Sequence, residues 1–453
     1  MSAELKAMRD SARAMHQAGK LVEAQALYAQ FLAKVPDDDV IWSNLGVLLR
    51  ATGRHAQALR AHRRAYAIKP NAQGVQNNLA NVLSDIGQYD ESIKIRQQIL
   101  ETDPAALNHH AMIGRCLRGK GDYAAAIDYL DSQLKTYPDD TELKMQLSFA
   151  QLGAGDYATG FETYQIRWEA GELKPRDLPF AEWKGEPLAG KIVLVLPEQG
   201  FGDAVLFARF VKTLKSRGAI VHFLAEKPMV RLFDGMEGVD WIGTQVSKSV
   251  DVDFWINSMD LALLHFEDSD TAVPPPVRLK TPPAAKERAQ VITAPYRDVK
   301  KIGVVWTGSA TYKGNAFRSF RHADFLPLTE IEGVQLFSLY KGPYLAPYEA
   351  DGTSAFIVNA GASEADFADC AAMMQEMDLV ITSDTATAHV AGSLGVPTWT
   401  ILHWDPFWVW RHSGNTTEWY PDMRLFRQQT PLQWDAVMAE VACELKSWTE
   451  SSS

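Results

Sequence analysis

Three short segments carry the residue types that could hold an anionic group and help transfer it. In Glu198-Gln-Gly-Phe-Gly-Asp203, Gly200 and Gly202 let the backbone approach a ligand closely, and Asp203 could take a proton from an attacking hydroxyl. The plainer reading makes this a tight turn with Asp203 as the cap of the helix that follows. In Trp306-Thr-Gly-Ser-Ala310, the Gly308-Ser309 turn is followed by Lys313, Arg318 and Arg321, cations in an otherwise acidic region. A solvated surface loop is the alternative there. Lys341, in Ser338-Leu-Tyr-Lys-Gly342, adds one more cation. In Ser383-Asp-Thr-Ala-Thr-Ala-His389, small hydroxylated residues open a helix whose unpaired amides and positive dipole end suit a diphosphate. His389 lies one turn in, on the face of Thr385 and Ala386, where its ring could reach the same anion. Taken alone, such a histidine is more often packed or exposed than functional; Ser383, Asp384, Thr385 and Thr387 beside it favour a site.

The elements that must position these residues are readable from the apolar runs before them. Lys191–Leu196 is β-branched and precedes the glycine loop, and a helical stretch follows it as far as Gly218. Ile220–Ala225, Val239–Ile242 and Asp253–Ile256 continue as strands. The proline-rich stretch Val273–Pro283 reads as a linker. A second run then begins, with strands at Lys301–Trp306, Val334–Leu339, Ala355–Val358, Leu379–Thr382 and Pro397–Leu402, and a closing helix over Leu432–Trp448. Strand–loop–helix alternation of this kind predicts parallel α/β sheets. Two such lobes would leave a cleft at the carboxyl ends of their strands, where all three segments lie. The aromatic segment His403–Trp410 either stacks a nucleotide base or packs at the lobe interface.

Residues 1–170 follow a different rule. Gly19, Gly53, Gly87, Gly121 and Gly155 are spaced by 34, as are Pro36, Pro70, Pro104 and Pro138, which is the period of the tetratricopeptide repeat. Ala24, Ala58, Ser92 and Ala126 share one small slot, and Leu45, Leu79, Ile113 and Leu147 one large apolar slot. About five helix-turn-helix units are predicted, with degenerate ends. Asn44 and Asn78 occupy one slot in successive repeats, and Asn77 and Asn81 neighbour the second. Asparagines spaced in this way can pair with an extended peptide of any sequence, or simply fill gaps between repeats. The expected fold class is therefore α plus α/β. An all-α repeat array (1–170) and a connector (171–189) precede an N-terminal lobe (190–272), a linker (273–299), a C-terminal lobe (300–448) and a tail (449–453).

Composition narrows the function. Three cysteines, Cys116, Cys370 and Cys443, lie far apart among 453 residues, which argues against a disulfide framework or a structural zinc site. No apolar run approaches a membrane span, and Met1–Arg13 lacks the apolar core of a secretory signal, so a cytoplasmic protein is expected. Residues 1–170 carry 19 Lys and Arg against 20 Asp and Glu, and the remainder 26 against 36. That acidic balance disfavours nucleic acid as a partner and requires any anion to be held locally.

Residues 190–448 resemble the GT-B glycosyltransferases of the heptosyltransferase-like family, above all members fused to tetratricopeptide repeats. The resemblance rests on PEQGFGDAVLFARF at 197–210, VVWTGS at 304–309 with Lys313 and Arg318, and DLVITSDTATAHVAGSLGVPTW at 378–399. WYPDMRLFRQ at 419–428 is similar to the tail of the fused members. The chain departs from the family at Tyr312–Arg318, which is less basic, and in its short first lobe. The resemblance implies a two-lobed GT-B fold with Asp203 as catalytic base and a donor phosphate and sugar held by Ser383, Asp384, Thr385 and His389. Gly200, Gly202, Gly308, Ser309, Lys313 and Lys341 would complete the donor site, with neither metal nor cofactor. Asn44, Asn77, Asn78 and Asn81 resemble the asparagine ladder of O-GlcNAc transferase, which implies a protein acceptor; flagellin is one such acceptor, and the donor would be a nucleotide sugar. A transferase acting on a lipid-linked or polysaccharide acceptor, and a non-catalytic repeat scaffold, are the other readings open at this point.

Overall fold

The computed structural model describes residues 2–451 apart from 172, 174–175, 247–250, 268–271 and 313. The chain divides into two compact units, Met1–Ala150 and Gln151–Ser453. The first is built from antiparallel helix pairs: Ala3–Gln17 with Leu21–Lys34, Asp39–Ala51 with His55–Ile68, Gln73–Asp85 with Tyr89–Thr102, and Leu107–Gly119 with Tyr123–Leu134. The 34-residue glycines sit in the left-handed region at each turn, with φ of 72°, 74°, 73°, 78° and 89°, a conformation that costs only glycine little. The second helix of each pair stops before its proline, whose ring disfavours a helical residue ahead of it. Ala24, Ala58, Ser92 and Ala126 are all fully buried in the small slot, and Leu79, Ile113 and Leu147 fill the large one. Contiguous apolar seams result, such as Leu49, Ala58, Leu79, Leu83, Ile95 and Ile99. A ninth helix, Thr141–Ala154, spans the division, and a tenth, Tyr157–Thr163, belongs to the second unit.

The second unit contains two fully parallel sheets. The first comprises β1 (Ala181–Glu182), β2 (Ile192–Leu196), β3 (Ile220–Leu224), β4 (Trp241–Gly243) and β5 (Phe254–Asn257), in the order β1-β5-β2-β3-β4. The second comprises β6 (Lys300–Val305), β7 (Val334–Ser338), β8 (Ile357–Asn359), β9 (Leu379–Ser383), β10 (Thr398–Leu402) and β11 (Met423–Arg427), in the order β11-β10-β9-β6-β7-β8. Strands β2, β6, β9 and β10 are apolar and buried along most of their length, as strands covered on both faces must be. The chain reverses its direction of travel between β2 and β5 in one sheet and between β6 and β9 in the other. Ligands of open parallel sheets bind outside the carboxyl ends at such points.

Four details differ from the sequence reading. The stretch 273–299 contains the helix Pro283–Thr293, because Pro282 and Pro283 fall at its start, where a missing amide hydrogen costs nothing. β1 lies within the connector 171–189, and β11 lies within the WYPDMRLFRQ segment. The closing helix runs Asp435–Ser451.

Candidate functional site

The β6/β9 reversal brings two of the three segments together. Gly308 follows β6 and Thr385 follows β9; a Cβ on Gly308 would stand 2.8 Å from Thr385 Cγ2 and 2.8 Å from an Arg318 nitrogen. Only glycine permits that approach. Asn315 fixes the loop: its Oδ1 accepts from Gly308 N (3.1 Å) and Arg318 Nε (3.3 Å), and its Nδ2 donates to Thr307 Oγ1 (2.9 Å). Arg318 also lies over the Tyr312 ring, 4.5 Å from its centroid. Ser309 is exposed and shares a hydrogen bond with Thr311.

The third segment is buried. Ser383 is fully enclosed and its Oγ has no hydrogen-bond partner, while Asp384 and Thr385 are 6% exposed. The helix Ala386–Leu394 begins without a side-chain cap, since Thr385 turns its hydroxyl to Thr387 Oγ1 (2.6 Å). Its first amides are thus not claimed by that side chain. His389 is packed between Trp410, with the rings stacked at 5.3 Å, and Tyr420, whose hydroxyl is 3.1 Å from Nδ1. Burial, aided by Arg209 and Arg318, pushes the imidazole down to about 3, so it serves as a neutral ring.

The glycine loop meets this helix from the first lobe. A Cβ on Gly202 would lie 3.0 Å from His389 Cδ2 and 3.4 Å from Ala386 Cα. Gln199 adopts φ 56°, an uncommon conformation for a residue with a side chain, and its amide donates to Tyr164 OH (2.7 Å). Asp203 is the third residue of the helix Phe201–Phe207 rather than its N-cap, which is Gly200, and its carboxylate accepts from Gly200 N (3.0 Å). It is nevertheless unusual. Burial pushes its carboxyl up to about 6, with Asp384 adding to the rise, against the opposing effects of the loop amides and Arg318.

The remaining sequence candidates are distributed elsewhere. Lys341 donates to the Glu364 backbone carbonyl, so the cation that joins the loops is Arg318. Lys313 lies outside the described residues. In the repeats, Asn78 Nδ2 donates to Ser43 Oγ (2.9 Å) and Asn81 Oδ1 accepts from the buried Arg96 (2.7 Å). Asn44 hydrogen-bonds Tyr28, and Asn77 is half-buried. Three of the four asparagines therefore use part of their capacity within the array. Within His403–Trp410, Trp408 and Trp410 are buried; Trp408 packs on Phe161 of the tenth helix and Trp410 stacks on His389.

Sequence reading missed Asn315, Arg209, Trp410 and Tyr420 as contributors. Arg209 is 3% exposed and donates to the carbonyls of Leu206 (2.9 Å), Pro274 (3.1 Å) and Trp419 (2.8 Å). It lies in PEQGFGDAVLFARF and Tyr420 in WYPDMRLFRQ, so the segments were visible but the pairing was not. Among the described residues, no group of three His, Cys, Asp or Glu side chains could hold a metal ion, and no helix is long and apolar enough to cross a membrane.

Models of the tetratricopeptide repeat match residues 10–73, 49–116 and 110–144, so the N-terminal region is an array of these repeats. Protein FlbA of Caulobacter vibrioides is 26% identical over 320 residues, which cover 64% of this chain and 53% of that protein. The chain thus spans about half the length of the curated relative it matches. Among solved structures, MamA 41-end from Desulfovibrio magneticus RS-1 is 17% identical, with a TM-score of 0.35, over 38% of this chain and 99% of that one. A tetratricopeptide repeat protein from Parabacteroides merdae is 16% identical, with a TM-score of 0.34, over 37% of this chain and 68% of that one.

Proposed function

We propose that the chain is a metal-independent glycosyltransferase that moves a sugar from a nucleotide donor to a hydroxyl of a protein held by the repeats. The observation that carries this reading is the convergence of Gly202, Gly308 and the uncapped helix start at Thr385–Ala386 around Asp203. Backbone that can approach closely, free helix amides and Arg318 suit a diphosphate, whose charge rises as the sugar departs. An aspartate poised near neutral pH suits removal of the acceptor's proton. The proton leaves the attacking hydroxyl for Asp203, the new bond forms at the anomeric carbon, and the nucleoside phosphate departs with the bonding pair. Repeat arrays bind polypeptides, which makes a protein the natural acceptor. The resemblance to repeat-fused transferases makes flagellin the first one to try.

A second reading keeps the transfer but makes the acceptor a lipid-linked or polysaccharide sugar, with the repeats only docking the enzyme. It draws on the use of Asn44, Asn78 and Asn81 inside the array, which leaves them less free for a peptide. One experiment separates these readings. Nucleotide sugars of the CMP, UDP, ADP and GDP families are screened by thermal shift on wild type and His389→Ala, and the stabilising donor is then supplied with candidate acceptors. Mass gain on a polypeptide, lost in Asp203→Asn, supports protein glycosylation; mass gain only on a glycolipid or glycan supports the second reading. Failure of every donor to stabilise the chain would leave a repeat scaffold.

A further inference from the structure

We propose that Tyr420 and Arg209 act as positioning residues that hold His389 as its Nε2–H tautomer, so that the ring presents an N–H donor toward the glycine loop. A neutral imidazole has one donor and one acceptor nitrogen, and the partner of one decides the role of the other. Here the partner of Nδ1 is the Tyr420 hydroxyl at 3.1 Å. The phenol is 2% exposed, and burial raises its pKa, so it keeps its proton. A phenol can donate to Nδ1 or accept from it, and Arg209 decides which.

The Arg209 guanidinium carbon lies 4.8 Å from the centroid of the Tyr420 ring and 5.2 Å from that of Trp419. Three backbone carbonyls anchor Nε and Nη1, and among the described residues no carboxylate pairs with the charge. A fixed, unneutralised cation in a buried setting orients nearby dipoles strongly. It draws the phenol's oxygen toward itself and turns the O–H away, toward Nδ1. Nδ1 then accepts, and the ring proton resides on Nε2. That nitrogen is the one beside the glycine loop, 3.5 Å from where a Cβ on Gly202 would stand. Trp410 stacks on the ring at an interplanar angle of 25° and prevents it from swinging away.

The arrangement answers a specific need. A protonated histidine would be repelled by Arg209 and Arg318, whereas the neutral Nε2–H form still offers a hydrogen bond to a phosphate oxygen. The tautomer stands on the geometry alone; its use toward a donor phosphate rests on the transfer reading above.

The test is two-bond 15N–1H correlation on the full chain labelled with 15N-histidine, with His389→Gln identifying the His389 signals among the 11 histidines. The wild-type ring is expected to show a protonated Nε2 and an unprotonated Nδ1 that do not titrate through neutral pH. Tyr420→Phe is expected to convert this into a mixture or into the Nδ1–H form, and Arg209→Met to move it the same way. A wild-type ring protonated at Nδ1 overturns the inference, and needs no variant to fold. An unchanged tautomer in Tyr420→Phe overturns it as well. UDP, ADP, GDP and CMP are then titrated into both proteins. Tyr420→Phe should weaken whichever one binds by about tenfold, the worth of one hydrogen bond to a charged group. Equal affinity for both proteins would overturn the role given to the N–H. If none binds while the tautomer is as stated, the transfer reading fails and the tautomer stands.

Discussion

Arg167 and Glu198 form a two-point ion pair, Nε to Oε2 at 3.0 Å and Nη2 to Oε1 at 3.2 Å, with both side chains almost wholly enclosed. Nη2 also reaches Asp260 Oδ1 at 2.5 Å. Glu198 lies in the loop that follows β2 and Asp260 follows β5, so one arginine ties together both sides of the reversal in the first sheet. Arg176 braces the same place through Asn257 Oδ1 (3.0 Å) and the Pro197 carbonyl (2.6 Å). Two arginines thus brace the carboxyl ends of β2 and β5.

Removing Arg167 leaves the buried Glu198 and the partly buried Asp260 without this cation. Arg167→Met is expected to lower the stability of the second unit by about 3–5 kcal/mol, the usual cost of breaking a buried pair from one side. Replacing Glu198 and Asp260 as well, with apolar residues of similar volume, should return much of that loss. Denaturant titration of the single and triple variants checks both statements; a single variant as stable as wild type would contradict them.

Gly202 offers a cleaner probe of the site. The missing Cβ would stand 3.0 Å from His389 Cδ2, close enough to force the ring or the loop to move by a few tenths of an ångström. Gly202→Ala is expected to retain the fold and lose about tenfold in donor affinity, or ~1.4 kcal/mol. Calorimetric titration with the stabilising nucleotide, alongside a melting curve, separates the two effects. Full affinity in the variant would remove Gly202 from the site.

Much of this was legible because it is local. The 34-residue glycines and prolines specify the repeats through backbone conformation alone, and the β6 and β9 runs declare themselves by unbroken β-branched and apolar residues. β1 was not legible, since two residues paired to β5 carry no pattern of their own. β11 follows a segment dense in buried aromatics, and Arg424 and Arg427 interrupt its apolar run; one bonds Glu444, the other backbone carbonyls. At the site, the loops were visible as glycine and hydroxyl clusters after strands. Asn315 resembled any loop asparagine, and the convergence of Arg209, Tyr420 and His389 depends on tertiary contacts between distant segments. The cation that reaches the loops is Arg318 rather than Lys341, because Lys341 is taken up by the Glu364 carbonyl.

The raised carboxyl of Asp203 fixes the sign of a pH response. Its folded value of about 6 exceeds the ordinary 3.8, so the folded chain binds this proton more tightly than the unfolded one. The associated stability is complete below 3.8 and is lost as pH rises through 6. Activity runs the other way, since a base must be ionised to act. The transfer rate is expected to climb with pH through about 6 and then level off. Asp203→Asn should lose about 10²–10⁴-fold and the rise with it. An acidic limb that survives in the variant would assign the base elsewhere.

The repeats carry an opposite pH signature, centred on His62. This ring is fully buried against Gly46, and burial pushes it down to about 4, with Arg50 contributing and the Gly46 backbone opposing. The unfolded chain takes up this proton near 6.5, while the folded chain resists it until about 4. Stability is thus undiminished above 6.5 and falls as pH drops toward 4, by ~3 kcal/mol in all from this one group. His16, His55, His109 and His110 are lowered by burial too and act in the same direction. Hydrogen exchange read over the helix His55–Ile68 in the full chain should accelerate, relative to its intrinsic rate, as pH falls across that window. His62→Leu, which removes the titrating group and keeps an apolar side chain in the slot, should flatten most of that dependence while the neighbouring histidines leave a residue of it. Protection over that helix that did not change with pH in the wild-type chain would mean that the ring finds a partner or solvent when it charges.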